Sequence, residues 1–280
     1  MSEVAKLDEL RVGGLTLTGI TRGGVETCLM VPELAVMFDV GMCPPGALTY
    51  PTILVSHGHA DHLGGLTYLI SQHGLMSSPA PVIHMPEEIV APMRQILAGW
   101  SQIEGFELQF DLHGHAPDSR AAVGRNLSAL ALRTSHRVPS LAWLIERTTH
   151  RLRPEYVGRE GREIAGLRAA GEVITDTHVE PLLCVTGDTK IEFFDEQALA
   201  RRCKILVHEC TSWDDRRDVE VTRKWGHTHL DELVARAEQF TGEALVLVHR
   251  SMRHSRREAE AIVDRRFPAA MRGKIHVFGW

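Results

Sequence analysis

The stretch Thr52 to Leu66, TILVSHGHADHLGGL, limits what this chain can fold into more than any other. Ile53-Leu54-Val55 is an apolar run that reads as a short buried strand, and Ser56 ends it. His57, His59, Asp61 and His62 then follow within six residues. Imidazole suits zinc, iron and similar ions, and carboxylate adds a hard oxygen ligand. His57 and His59 alternate, so an extended backbone projects both the same way. A helix expected to start near Asp61 turns Asp61 and His62 toward the same point, and Gly64-Gly65 lets that turn pack closely. Such a knot at a strand's end can hold two ions. The plainer reading is a polar loop that merely contains histidines. Against it, so many donors in one place are costly to gather without a cation.

The 280 residues suffice for one large domain with a real core, and no linker interrupts them; we expect a single domain over residues 1–280. No run of roughly 18 apolar residues suggests a membrane span, and the opening MSEVAKLDELRVGG lacks the pattern of a secretory signal. A cytoplasmic home is therefore expected. The five cysteines, Cys28, Cys43, Cys184, Cys203 and Cys210, are scattered without a CxxC and fit a reduced compartment better than a disulfide frame. A net charge of −5 argues against a generic nucleic-acid sponge, so any RNA contact needs a local basic patch.

Residues 10–40 read as strands with turns between, ending in FDVG, where Asp39 by itself reads as a strand-end turn residue. Helices are expected over residues 63–73 and 86–99, and antiparallel strands over 105–133, where His113 and His115 look like surface residues. His136 follows the apolar run LSALALRTS and by itself reads as an ordinary core or surface histidine. Residues 147–181 are basic and Gly-rich and read as the least structured part, with a helix near 163–170. LLCVTGDT ends a strand at Asp188, which could bridge two cations with its two oxygens or simply cap a helix. In KILVHEC, His208 sits inside the apolar run and reads as packed, while Glu209 follows it. GHTHLDELVARAEQF opens a helix at His227, and ALVLVH ends a strand at His249.

The segments GGVETC, FDVG, SHGHADHLGGL, SHRVPSLAWLI, EYVGREGREI, VTGDT, HECTSWDD, GHTH and LVLVH occur in this order. With them the chain resembles the metallo-β-lactamase superfamily, and within it ribonuclease Z in its short plant-type form. The resemblance implies an α/β fold, the αββα sandwich of two mixed sheets with helices outside and metals at one rim. It implies two zinc ions, with other divalent metals open. His57, His59 and His136 would hold one, Asp61, His62 and His249 the other, and Asp188 would lie between them. Asp39 would support the histidine loop, as metal-bound histidines need such partners. His227, paired with Glu209, would be the general acid, and Asp61 would orient the attacking water. The implied substrate is a tRNA precursor, the implied product a tRNA freed of its 3′ trailer, and the implied assembly a homodimer.

The chain departs from that pattern after His249, where Arg250-Ser251-Met252-Arg253-His254 replaces an aromatic-bearing run. Arg250 and Arg253 could grip a backbone phosphate or pair with Asp214 and Asp215. The long Lys-rich arm of the bacterial-type enzymes is not apparent. The expected activity is thus a zinc-dependent endoribonuclease that trims tRNA precursors. The alternatives are another dinuclear hydrolase of the same fold acting on a small phosphodiester, lactone or thioester, and a non-catalytic RNA-binding relative.

Overall fold

A computed structural model describes residues 7–279; the outermost residues of the expected domain, 1–6 and 280, lie outside the described residues. The strands are β1 (Asp8–Val12), β2 (Leu15–Arg22), β3 (Glu26–Val31), β4 (Val36–Phe38), β5 (Thr52–Leu54), β6 (Val82–Pro86) and β7 (Asp111–His115), then β8 (Arg120–Gly124), β9 (Leu127–Arg133), β10 (Leu141–Leu152), β11 (Thr175–Val185), β12 (Ile205–Glu209), β13 (Ala244–Val248) and β14 (Ile275–Val277). The helices are α1 (Ala60–Leu63), α2 (Leu66–Leu75), α3 (Glu87–Glu104), α4 (Gly161–Ala169), α5 (Glu192–Glu196), α6 (Ala198–Arg202), α7 (Val219–Lys224), α8 (Leu230–Val234), α9 (Arg256–Arg266) and α10 (Ala269–Arg272).

The strands form two seven-stranded mixed sheets, β1 to β7 in sequence order and β8 to β14 likewise. The two halves share one plan. Neighbours are antiparallel from β1 to β4 and parallel from β4 to β7; they are antiparallel from β8 to β11 and parallel from β11 to β14. The parallel strands are apolar on both faces because both faces are covered. On β5, Leu54 points into the core between the sheets, with Leu17, Phe38, Trp143, Val185 and Val207. Ile53 and Val55 point the other way, to α2 and α3. On the far side, Leu206 and Leu247 meet Phe193, Phe194, Val263 and Phe267. These layers are the αββα sandwich.

Trp143 ties the sheets together. Its buried indole Nε1–H donates to the carbonyl of Val55 at 3.0 Å, two residues before His57. Gly41 serves the same region from the other side. A Cβ there would lie 1.9 Å from the Asp61 carbonyl oxygen, so only glycine lets the loop after β4 pack on α1.

Three expectations need correction. β7 joins β6 in parallel, so only β8 and β9 of the 105–133 stretch are antiparallel. Residues 147–181 are not weakly structured. Past a register shift at Ile145/Glu146 and the last β9 partner at Arg147, β10 and β11 continue as a two-stranded ribbon from Thr148↔Val179 to Leu152↔Thr175, and α4, beyond the ribbon, buries no residue. The helix after GHTH starts at Leu230, not His227; His229 caps it.

Candidate metal centre

The expected ligands come from strand ends of both sheets, and the fold brings them to one rim. His57 and His59 follow β5, and Asp61 and His62 lie on α1. His136 precedes β10, Asp188 follows β11, and His249 follows β13. Donor atoms of His57, His59, His136 and Asp188 lie within 4.8 Å of one another, as do those of Asp61, His62 and His249. Asp188 is 2% exposed and sits between the two groups. Its Oδ1 lies 3.4 Å from Nε2 of both His62 and His249, while its Oδ2 lies 3.6 Å from Nε2 of His57. One oxygen thus faces each group.

The partners outside this ring fix the tautomer of four histidines. His62 Nδ1–H donates to Asp39 Oδ2 at 2.7 Å. His57 Nδ1–H donates to Ser56 Oγ at 2.9 Å, and that hydroxyl donates on to Asp39 Oδ2 at 2.8 Å. His136 Nδ1–H donates to the Gly226 carbonyl at 2.8 Å. His249 Nδ1–H donates to Thr211 Oγ1 at 3.0 Å. In each ring Nε2 is left as a bare lone pair turned inward. His57 Nε2 and His136 Nε2 stand 3.0 and 3.3 Å from His59 Nδ1. His62 Nε2 and Asp188 Oδ1 are buried without a hydrogen-bond partner. Lone pairs and carboxylates at such spacing repel one another unless a cation lies among them. The residues present therefore fit metal ions. Burial disfavours charge on His62, yet Asp188 and Asp39 raise its proton affinity well above normal, as a site made for positive charge would.

Two turns at the site hold unusual backbone. Asp39 and His249 have φ of 57° and 58°, in the left-handed region that costs non-glycine residues of order 1–3 kcal/mol. Gly226, at φ 85°, is needed for a different reason. A Cβ there would stand 2.7 Å from His136 Nδ1, where the carbonyl now fixes the ring.

The expected acid pair lies beside the cluster. His227 Nδ1 is 3.1 Å from Glu209 Oε1 and 3.8 Å from Asp188 Oδ2. Glu209 is fully buried. Its Oε1 also accepts from the amides of Thr189 and Thr228, and its Oε2 from the Thr211 hydroxyl. Burial works against charge on His227, but Glu209 and Asp188 outweigh it and raise the ring to about 9. With Nδ1 held by Glu209, Nε2–H is the proton available to a ligand.

Other residues fall elsewhere. His229 is a helix cap: its ring accepts from the Asp231 amide, and Glu232 bonds back to its own amide. His208 is buried between Phe193 and Phe194. Arg250 does not reach the surface. It is 2% exposed, and its guanidinium donates to the carbonyls of His254 and Gly279, so it clasps the chain end instead of meeting a phosphate. Arg253 is exposed. Neither arginine pairs with Asp214, which binds Arg216 and His254. His113 is exposed, but His115 is not a free surface residue. Its Nε2 lies 2.9 Å from Nδ1 of buried His84, and its Nδ1 3.0 Å from Ser119 Oγ. Both line a groove of about 770 Å³ that shares no residue with the metal cluster.

Sequence reading missed Ser56 and Thr211. Each is a hydroxyl beside a ligand or acid motif, and each can accept from one side chain while donating to another. That pairing was the available signal.

A model of the beta-lactamase superfamily domain matches residues 49–250. The tRNase Z TRZ1 of Arabidopsis thaliana is 32% identical over 272 residues, which cover 96% of this chain and 97% of that protein. The nuclear ribonuclease Z of Triticum aestivum is 31% identical over 60% of this chain and 96% of its own. Among solved structures, the short form of human tRNase Z matches with a TM-score of 0.59 at 17% identity, over 93% of this chain and 94% of that one. The metallo-beta-lactamase fold protein YhfI from Bacillus subtilis matches with 0.63 at 14%, over 93% and 95%. At such identities these two structures speak for the fold alone. By the domain match and the near full-length similarity to the plant protein, the chain belongs to the tRNase Z family of the beta-lactamase superfamily.

Proposed function

We propose that this protein is a metal-dependent endoribonuclease that removes the 3′ trailer from tRNA precursors, working with two zinc ions. The observation that carries this reading is the buried Glu209 behind His227, 3.1 Å apart, at the edge of the metal cluster. Simple hydrolysis of an activated ester needs no such acid; expulsion of a ribose oxygen does. His57, His59 and His136 would hold one ion and Asp61, His62 and His249 the other, with Asp188 between. Bound zinc would lower the pKa of water to about 7 and offset charge gathering on the phosphate.

The chain's own residues supply the rest. Asp61 keeps one oxygen 3.4 Å from His249 Nε2 and is left with a second to orient the attacking water. Water, having given one proton to solvent, adds to phosphorus in line with the leaving oxygen. The bond from phosphorus to the 3′-oxygen of the last retained nucleotide breaks, and that oxygen takes the proton from His227 Nε2. The products are a tRNA ending in a 3′-hydroxyl and a trailer bearing the phosphate. Exposed Arg253 is a candidate phosphate contact.

A homodimer and a cytoplasmic location belong to the same reading. Ile96, Trp100 and Ile103 are exposed at helical spacing on α3, an apolar stripe that a second copy would cover. All five cysteines are free, which suits a reducing compartment. No helix among the described residues is long and apolar enough to cross a membrane.

The test is direct. Zinc-loaded protein and a precursor with a 3′ trailer should yield one cut after the discriminator nucleotide, with a 3′-hydroxyl on the tRNA. Asp188→Ala should abolish it. A protein that leaves the precursor whole and hydrolyses only small phosphodiesters would overturn the reading.

A further inference from the structure

Trp225 is 52% exposed, and it lies two residues before the acid His227. Arg137, next in sequence to the ligand His136, lays its guanidinium over the Trp225 ring, 4.9 Å from the centroid. The two residues are joined through the site itself. Between them in space lies Gly226, whose carbonyl fixes His136, and where an added Cβ would stand 3.1 Å from Arg137 Cγ. Trp225 also ends α7, and its amide donates to the carbonyls of Val221 and Thr222. The backbone that carries the indole is therefore held, and the ring's surface stays open.

The charges nearby are arranged unequally. Arg223 is paired with both Glu192 and Glu232. Among the described residues no carboxylate pairs with Arg137. An open aromatic face beside an uncompensated guanidinium is what a single-stranded nucleic acid uses: a base stacks on the ring and a backbone phosphate meets the cation.

We infer that Trp225 and Arg137 form a stacking platform for an unpaired nucleotide next to the scissile phosphate. The base lies on the indole face that Arg137 leaves open, and Arg137 reaches the adjoining phosphate. The inference rests on the endoribonuclease reading, since it places the ligand beside His227. It adds a recognition element for single-stranded RNA at the rim. Because every base has a face to stack, the platform would tolerate sequence while demanding that the strand be unpaired.

The experiment measures binding of a short single-stranded RNA with 3′-methylene linkages, which have no 3′-oxygen to lose, to the metal-loaded protein. Wild type, Trp225→Phe, Trp225→Leu and Arg137→Gln are compared over a range of salt. Trp225→Phe should bind like wild type. Trp225→Leu, apolar and bulky but without a ring, should bind at least about fivefold more weakly. Arg137→Gln should lower the slope of log affinity against log salt by about 0.7, one phosphate contact. A merely structural role would not distinguish Phe from Leu in this way. Equal binding by wild type and Trp225→Leu, or no binding by wild type, overturns the platform. Precursor cleavage by wild type is read separately. Cleavage with no effect of Trp225→Leu on RNA binding removes the platform and keeps the endoribonuclease. RNA held through Trp225 without cleavage does the reverse.

Discussion

Thr211 Oγ1 stands 3.0 Å from Nδ1 of His249. The same hydroxyl donates to Glu209 Oε2 at 2.9 Å, so one side chain holds both a proposed ligand and the carboxylate behind the proposed acid. Thr211→Val keeps the shape and removes both bonds. Metal affinity should fall about 10- to 100-fold, the usual cost of losing such a partner. Chelator competition measures it, and Thr211→Ser should restore it. If the valine variant binds metal as tightly as wild type, the hydroxyl has no part in fixing His249.

His227→Ala should lower the rate on RNA by roughly 10²–10⁴. The loss on a p-nitrophenyl phosphodiester should be far smaller, because nitrophenolate leaves without a proton. Equal losses on the two substrates would make His227 structural instead.

The two arginines after His249 should separate cleanly. Arg253→Ala should flatten the salt dependence of precursor binding by about 0.7–0.9. Arg250→Ala should leave that slope alone and destabilise the fold by about 1–3 kcal/mol, since its buried carbonyl partners lose their donor. Thermal melts and salt titrations on both variants decide this. A changed slope for Arg250→Ala would show that the side chain leaves its buried place to meet RNA.

Stability should also sense pH through His84. Burial first, then the neighbouring rings of His115 and His113, lower its pKa from 6.5 to about 4. The unfolded chain therefore binds this proton at a higher pH than the fold does. The contribution is complete above about pH 6.5 and is lost as pH falls toward 4, on the order of 3 kcal/mol in all. His84→Asn keeps a donor for His115 and cannot titrate, so its melting temperature should fall less between pH 7 and pH 5. Parallel curves for the two proteins would contradict this.

Much of the site was legible because its chemistry is local. His57, His59, Asp61 and His62 lie within six residues, and the order of the remaining ligands follows strand ends that announce themselves as apolar runs. The buried strand β13, ALVLV, points straight to His249. Arg250 was misread because an arginine beside a ligand looks like a phosphate contact, and only the turn at His249 sends it inward. The ribbon of β10 and β11 was misread for lack of a period. Thr148 and His150 on one face and Thr149 and Arg151 on the other are all polar, so alternation carries no inside-outside signal there. The bond from His115 to His84 crosses 31 residues, a distance no local pattern spans.

The repeated strand plan has one more consequence. His57, His59, Asp61 and His62 belong to the first seven strands, and His136, Asp188 and His249 to the second. Neither half owns a full chelate. An ion can be gripped by all its partners only after the two sheets have docked, so capture selectively stabilises the docked molecule. A metal held there would then work as a latch on assembly as well as an agent of chemistry: a chain that has misjoined its halves has nothing to close it on.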